Sequence, residues 1–391
     1  MLSPDQAPEM RTEALSASSE LRELIVCSLE AWDDVWRRNQ FFTDALLRRN
    51  PGLRVLFVEP AADVLFDLWS RRVPTIPRLR RLSKDGRLRA LRPLKPLPRR
   101  FGQLADTLVL SQVVLATRAL GLSRPTLWIN DVTYAPLIAH TGWSSLYDVT
   151  DDWLLEPIPP RELERLRRLD QIALDQADEV VVCSQALVAS RGSRRAVSLI
   201  PNGVDVENFS RPRARPRDLP ERPVAVYVGS LHDARIDIEL VADVANALPQ
   251  LSLVFVGPDF LGHRSRRLLK GLPNVILLGS RPYHEVPAYL QHADVVIVPH
   301  RVSAFTDSLD PIKAYECLAI NTPTVATPVA GFREYGATLN VVARDDFPAR
   351  VAHVLSGVVS APRDAKPVEW RERALAFESA LLRATTRVRV S

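Results

Sequence analysis

Lys313 and Glu316 stand three residues apart in Asp307-Ser308-Leu309-Asp310-Pro311-Ile312-Lys313-Ala314-Tyr315-Glu316-Cys317-Leu318-Ala319, a run with helical spacing and a proline suited to the first turn. On one helical face, the ammonium can meet a diphosphate while the carboxylate, one turn deeper, accepts two ribose hydroxyls. The free N–H groups and positive dipole end of such a helix would face the phosphate, and Ser308 and Leu309 would form the lip. A surface ion pair is the plain alternative, but a helix starting just after a buried strand is a poor place for mere solvation. Two glycines point the same way: Gly229 follows the apolar run Val224–Val228 and Gly257 follows Leu253–Val256, each permitting close backbone approach to a ligand. Ordinary strand-ending turns would explain either glycine alone. The ordered series is more telling, because Arg281-Pro282-Tyr283 then follows another strand and leads into a helix ending near His292.

These residues need a scaffold, and the pattern supplies one. The chain has 391 residues, 46% hydrophobic and 25% charged, enough for two ordinary domains and too apolar for large-scale disorder. Leu24–Leu29, Arg54–Val58, Thr126–Ile129, Ser145–Tyr147, Glu179–Cys183 and Ser198–Ile200 read as buried strands separated by helical patterns. A second series, Val224–Val228, Leu253–Val256, Val275–Leu278, Asp294–Val298 and Thr324–Ala326, begins after the Pro- and Arg-rich stretch Arg211–Pro223. The expectation is an α/β protein of two doubly wound parallel-sheet domains, whose ligands collect at the carboxyl ends of the strands. The expected divisions are a disordered tail over 1–20, an N-terminal domain over 21–203, a C-terminal domain over 204–368 and a final helical stretch over 369–391.

Cys27, Cys183 and Cys317 lie in apolar runs without metal-type spacing, which favours a reducing compartment and disfavours disulfides or structural zinc. No export signal and no spanning segment is expected, which points to the cytoplasm. Net charge is +5, yet Arg71–Arg100 holds twelve basic residues against the single acid Asp85, a local +11 that leaves −6 for everything else. Such a patch points to an anionic membrane face or anionic acceptor. A solvated face is the alternative, and the lack of interleaved aromatics argues against nucleic acid.

With Ile200-Pro201-Asn202-Gly203-Val204-Asp205 opening the second series, the chain resembles the GT-B glycosyltransferases, in which two Rossmann-like domains face a cleft. The similarity is greatest to bacterial polysaccharide and cell-wall enzymes of the group 1, teichuronic-acid type. It rests on Trp32-Asp33-Asp34-Val35-Trp36-Arg37-Arg38-Asn39-Gln40 and Tyr147-Asp148-Val149-Thr150-Asp151-Asp152-Trp153. The resemblance implies a nucleotide-diphosphate sugar as donor substrate and no separate cofactor or metal. It implies that Glu316 holds the ribose, that Ser308, Leu309 and Lys313 hold the diphosphate, and that the Arg281–Tyr283 turn holds the base. It also implies that the final helix crosses back to the N-terminal domain, and that Trp36, Arg38 and Gln40 lie on the acceptor side.

Ser308 stands where retaining relatives carry the first glutamate of a pair, and Ser230 and Arg235-Ile236 stand where they carry Arg and Lys-Gly. Either the phosphates are held mainly by Lys313 and Arg235 or the donor is handled differently, and an inverting reaction is expected. That reaction needs a base for the acceptor hydroxyl. Asp148, Asp151 and Asp152 offer three acids at one turn, where crowding raises at least one pKa, and Asp151 is the expected base. The same cluster would also serve as a helix cap. His140 is in range by position and is counted on the acceptor side, although a lone histidine in the apolar segment Ala135–His140 is more often structural. The acceptor is expected to be glycan, lipid-linked or a small molecule, with the protein peripheral at the inner membrane face. An epimerase or phosphorylase of the same fold, or a non-catalytic anion-binding descendant, are the competing readings.

Overall fold

The computed structural model describes residues 20–63, 78–97, 103–156, 158–320, 322–336, 338–357 and 367–386. Residues 1–19 of the expected disordered tail, and Arg71, Arg72, Arg99 and Arg100 of the basic stretch, lie outside these. The first half builds strands β1 (Glu23–Cys27), β2 (Arg54–Val58), β3 (Ala62–Asp63), β4 (Arg78–Arg81), β5 (Leu88–Arg92), β6 (Leu94–Lys95), β7 (Thr126–Ile129), β8 (Ser145–Val149), β9 (Glu179–Val182) and β10 (Ser198–Leu199). The second half builds β11 (Val224–Val228), β12 (Ser252–Val256), β13 (Val275–Gly279), β14 (Val295–Val298) and β15 (Thr324–Ala326).

Two sheets result. The first runs β10-β9-β8-β7-β1-β2-β5-β4 and is parallel except for β4 at its edge; the second runs β13-β12-β11-β14-β15 and is wholly parallel. In each, strand order reverses beside the first strand, between β1 and β7 and between β11 and β14. That is where a doubly wound sheet opens a crevice for ligands. Both faces of each sheet are covered by apolar clusters, which is why β1, β7, β11 and β14 read as unbroken hydrophobic runs.

Part of the basic stretch is sheet rather than patch. Leu88, Ala90 and Leu91 are buried in β5, while Arg81, Lys84 and Arg92 are exposed. Arginines between the apolar positions hid this strand from a search for apolar runs. They also blunt the sheet's open edge at β4.

The final helix, Trp370–Thr386, packs on the first sheet. Trp370, Ala374, Phe377 and Leu381 follow helical spacing and are buried against Phe42, Trp128 and Leu146. Phe377 stacks on Phe42 at 4.6 Å between ring centroids, so Phe377→Ala would cost about 3–5 kcal/mol. Gly203 permits this return, because a Cβ there would lie 2.9 Å from the Trp370 backbone nitrogen. Val204 N–H donates to Val368 C=O at the same crossing. Cys27, Cys183 and Cys317 are free and buried. Among the described residues, no helix is long and apolar enough to cross a membrane.

Candidate active site

The carboxyl ends of the two sheets face one another across a cavity of about 230 Å³. From the second sheet come Gly229, Arg235, Leu309, Lys313 and Glu316; from the first come Glu30, Arg37, Asn130 and Asp151. Gly229 ends β11 at φ 146°, and a Cβ there would collide with the Lys313 side chain. Gly257 ends β12 at φ 149°, and a Cβ there would overlap the Gly229 backbone. Only glycines at both strand ends bring Lys313 down onto the backbone. Its Nζ sits 5.6 Å from the Tyr227 ring centroid. The helix Ile312–Ala319 carries Lys313 and Glu316 into the cavity, with Pro311 at its cap rather than in its first turn.

Recessed charges dominate the electrostatics. Loss of hydration lowers the Lys313 pKa to about 8 and raises that of Glu316 to about 7, with Lys313 pulling Glu316 the other way. His300, hydrogen-bonded to Tyr227 at 3.3 Å, is held neutral by burial and by the positive charges of Lys313 and Arg235.

Of the three acids at the β8 turn, the structure leaves one open. β8 runs on to Val149, so Asp148 belongs to the sheet rather than to the turn. It is fully buried, bound in a fork by Arg38 at 3.0 Å and by Trp128 Nε1 at 3.2 Å. Asp152 is clasped by Arg191 at 2.9 and 3.0 Å. Both are corrected from candidate bases to structural ion pairs, because their oxygens are committed to guanidinium groups away from the reacting space. Asp151 alone lines the cavity, 3.4 Å from Arg235 across the cleft, with burial raising its pKa against that arginine.

Ser308 is a second correction. It is buried, donates to Phe305 C=O at 2.7 Å and accepts from Asp152 N–H at 3.3 Å, so it joins the domains instead of forming the phosphate lip. Gln40 caps its own helix through the Arg37 backbone, and His140 is exposed at the end of a short helix, lining none of the described cavities. Both leave the acceptor set. Arg38 and Trp36 line the cavity, Arg38 while holding Asp148. Tyr283 also lines it, with its ring stacked on Trp36 at 6.3 Å and its N–H bound to Asp34 C=O. Arg281 is fixed beside it by Asp218 and Tyr289.

Sequence reasoning missed Glu30. It lies three residues beyond the end of β1, in the loop where a doubly wound sheet offers its ligand-binding residues, so the signal was present. Its carboxylate accepts from Asn39 at 3.1 Å, and burial raises its pKa to about 7, with Arg37 opposing and Asp151 adding to the shift. Asn202 and Asp310 were also missed. Asn202 accepts from Arg38 at 3.2 Å and donates from backbone and side chain to Asp310, stitching the cleft floor shut.

Residues 222–360 match the family Glycosyl transferases group 1. Over 221 residues the chain is 28% identical to Bacillus subtilis TuaH, named as a teichuronic acid biosynthesis glycosyltransferase, covering 52% of this chain and 55% of TuaH. Over 212 residues it is 26% identical to a Mycobacterium tuberculosis GDP-mannose-dependent alpha-(1-6)-phosphatidylinositol dimannoside mannosyltransferase, covering 51% and 54%. The chain thus spans about half the length of the curated relatives it matches. Among solved structures, Anabaena HepE in complex with UDP and glucose superposes at TM-score 0.61 with 15% identity over 93% of this chain and 96% of HepE. Escherichia coli trehalose-6-phosphate synthase bound with UDP-2-fluoro glucose gives 0.60 with 12% identity over 92% and 94%. The chain therefore has the GT-B fold, and its C-terminal sheet domain matches the Glycosyl transferases group 1 family.

Proposed function

We propose that the protein is a glycosyltransferase moving a sugar from a nucleoside diphosphate sugar to an acceptor hydroxyl. The observation that carries this reading is the opposition, across one cavity, of Lys313 and Glu316 on the second sheet to Asp151 on the first. In this reading Glu316 accepts the ribose hydroxyls, and Lys313, Arg235 and the start of the helix Ile312–Ala319 offset the diphosphate charge. Gly229 lets the phosphates approach the backbone, and Arg281 and Tyr283 border the base. Transfer needs no metal bridge, and activity is expected to survive a chelator. Asp151 takes the acceptor proton on the face opposite the departing diphosphate, so the anomeric configuration inverts. The relatives' names support a cell-envelope glycan or lipid-linked acceptor. The exposed Arg81, Lys84 and Arg92 support placement at an anionic, cytoplasmic membrane face.

A thermal-shift panel of nucleoside diphosphates tests the donor reading. A ligand at 100 times its dissociation constant should stabilise the fold by about 2.7 kcal/mol. No stabilisation by any member would refute it.

A further inference from the structure

A second cavity, of about 400 Å³, adjoins the donor cavity and shares Glu30, Arg37, Asp151 and Arg235 with it. It lies outside Lys313 and Glu316, so the shared charged residues form a partition between the two spaces. Its other wall carries three aromatic rings, Trp153, Phe260 and Phe305, with Asp33, Glu156 and His232 beside them. Phe305 is buried, packed on Trp153 at 5.6 Å and covered by the Arg235 guanidinium at 5.8 Å, so this wall has fixed support. Phe260, in contrast, is 59% exposed on the loop after β12. A large apolar side chain left open at the rim of a polar cavity has a ring face free to cover a ligand.

We infer that this second cavity is the acceptor subsite and that it takes a neutral pyranose ring. The inference rests on the glycosyltransferase reading and names the substrate class that reading leaves open. A pyranose has an apolar C–H face, suited to the negative face of an aromatic ring, and an edge of hydroxyls that both donate and accept. The cavity presents that pairing: aromatic rings on one side, and carboxylates mixed with guanidinium groups on the other. A phosphate at this position would face four carboxylates, Glu30, Asp33, Asp151 and Glu156, against the two guanidinium groups of Arg37 and Arg235. An acyl chain would strip water from six charged groups without replacing their hydrogen bonds. The volume falls within the ~300–1,000 Å³ usual for small-ligand sites. A ring seated here turns a hydroxyl toward the Glu30–Asp151 partition and so toward the sugar carried by the donor.

Saturation-transfer NMR tests the assignment, using methyl glycosides of glucose, galactose, mannose, rhamnose and N-acetylglucosamine with saturating UDP or GDP, the nucleotide-induced melting shift being read on the same samples. At least one glycoside should bind, Phe260→Ala should weaken it tenfold or more, and Phe260→Tyr should restore it, all with the nucleotide shift unchanged. Binding of no glycoside, equal binding by Phe260→Ala, or a signal from dodecyl phosphate alone overturns the subsite. An absent nucleotide shift in the wild type would instead remove the donor reading, so the two failures are separable.

Discussion

The Lys313 ammonium lies directly against the backbone of Gly229, in space that any side chain at position 229 would occupy. This contact couples the end of β11 to the helix that carries the proposed ribose and diphosphate contacts. Gly229→Ala should displace Lys313 and weaken nucleoside diphosphate binding at least tenfold. It should also lower stability by about 1 kcal/mol or more, since φ 146° disfavours alanine. Calorimetric titration and denaturant unfolding read the two effects, and unchanged affinity would show that Lys313 does not meet the diphosphate.

Nucleotide affinity should peak between about pH 7 and pH 8. Ribose hydroxyls donate to the ionised form of Glu316, so affinity falls as the pH drops through about 7 and that carboxylate is protonated. Diphosphate favours charged Lys313, so affinity falls again as the pH rises through about 8. Glu316→Gln should remove the acidic limb while weakening binding, and Lys313→Arg should remove the alkaline limb. Loss of the carboxylate in Glu316→Ala should cost about 1.5–3 kcal/mol of binding. A flat profile in the wild type would contradict both assignments.

Asp148 and Asp151, three residues apart, should respond in opposite ways. Asp148→Asn leaves Arg38 buried without its counter-charge and should cost about 3–5 kcal/mol of stability. Asp151→Asn should fold normally, bind nucleotide normally and lose about 10²–10⁴ in transfer rate. NMR of the product linkage decides the stereochemistry. Retained configuration refutes inversion, and near-normal turnover by Asp151→Asn refutes the base.

Charge reversal of Arg81, Lys84 and Arg92 to glutamate should reduce binding to vesicles containing anionic lipid, with the nucleotide-induced melting shift intact. Arg80 makes a poorer probe, because it is bound to Glu59. Equal vesicle binding by wild type and variant would make this surface a solvated edge.

Local pattern determined a good deal of this protein by itself. Unbroken apolar runs marked most strands of both sheets, because strands covered on both faces need no polar alternation. Strand-end glycines and the Lys313–Glu316 spacing marked the proposed donor side, because close backbone approach and helical geometry are set by neighbours in the chain. What the sequence could not decide was which polar groups remain free. Asp148, Asp151 and Asp152 are chemically equivalent in the sequence. The partners that bury Asp148 and Asp152, Arg38 and Arg191, come from helices more than thirty residues away. Ser308 reads as a phosphate lip until Asp152 arrives from the other domain to claim it. Glu30 becomes part of the site only when the second sheet closes over β1 and removes its water. Burial and pairing are properties of the assembled cleft, and they select among residues that the sequence can only nominate.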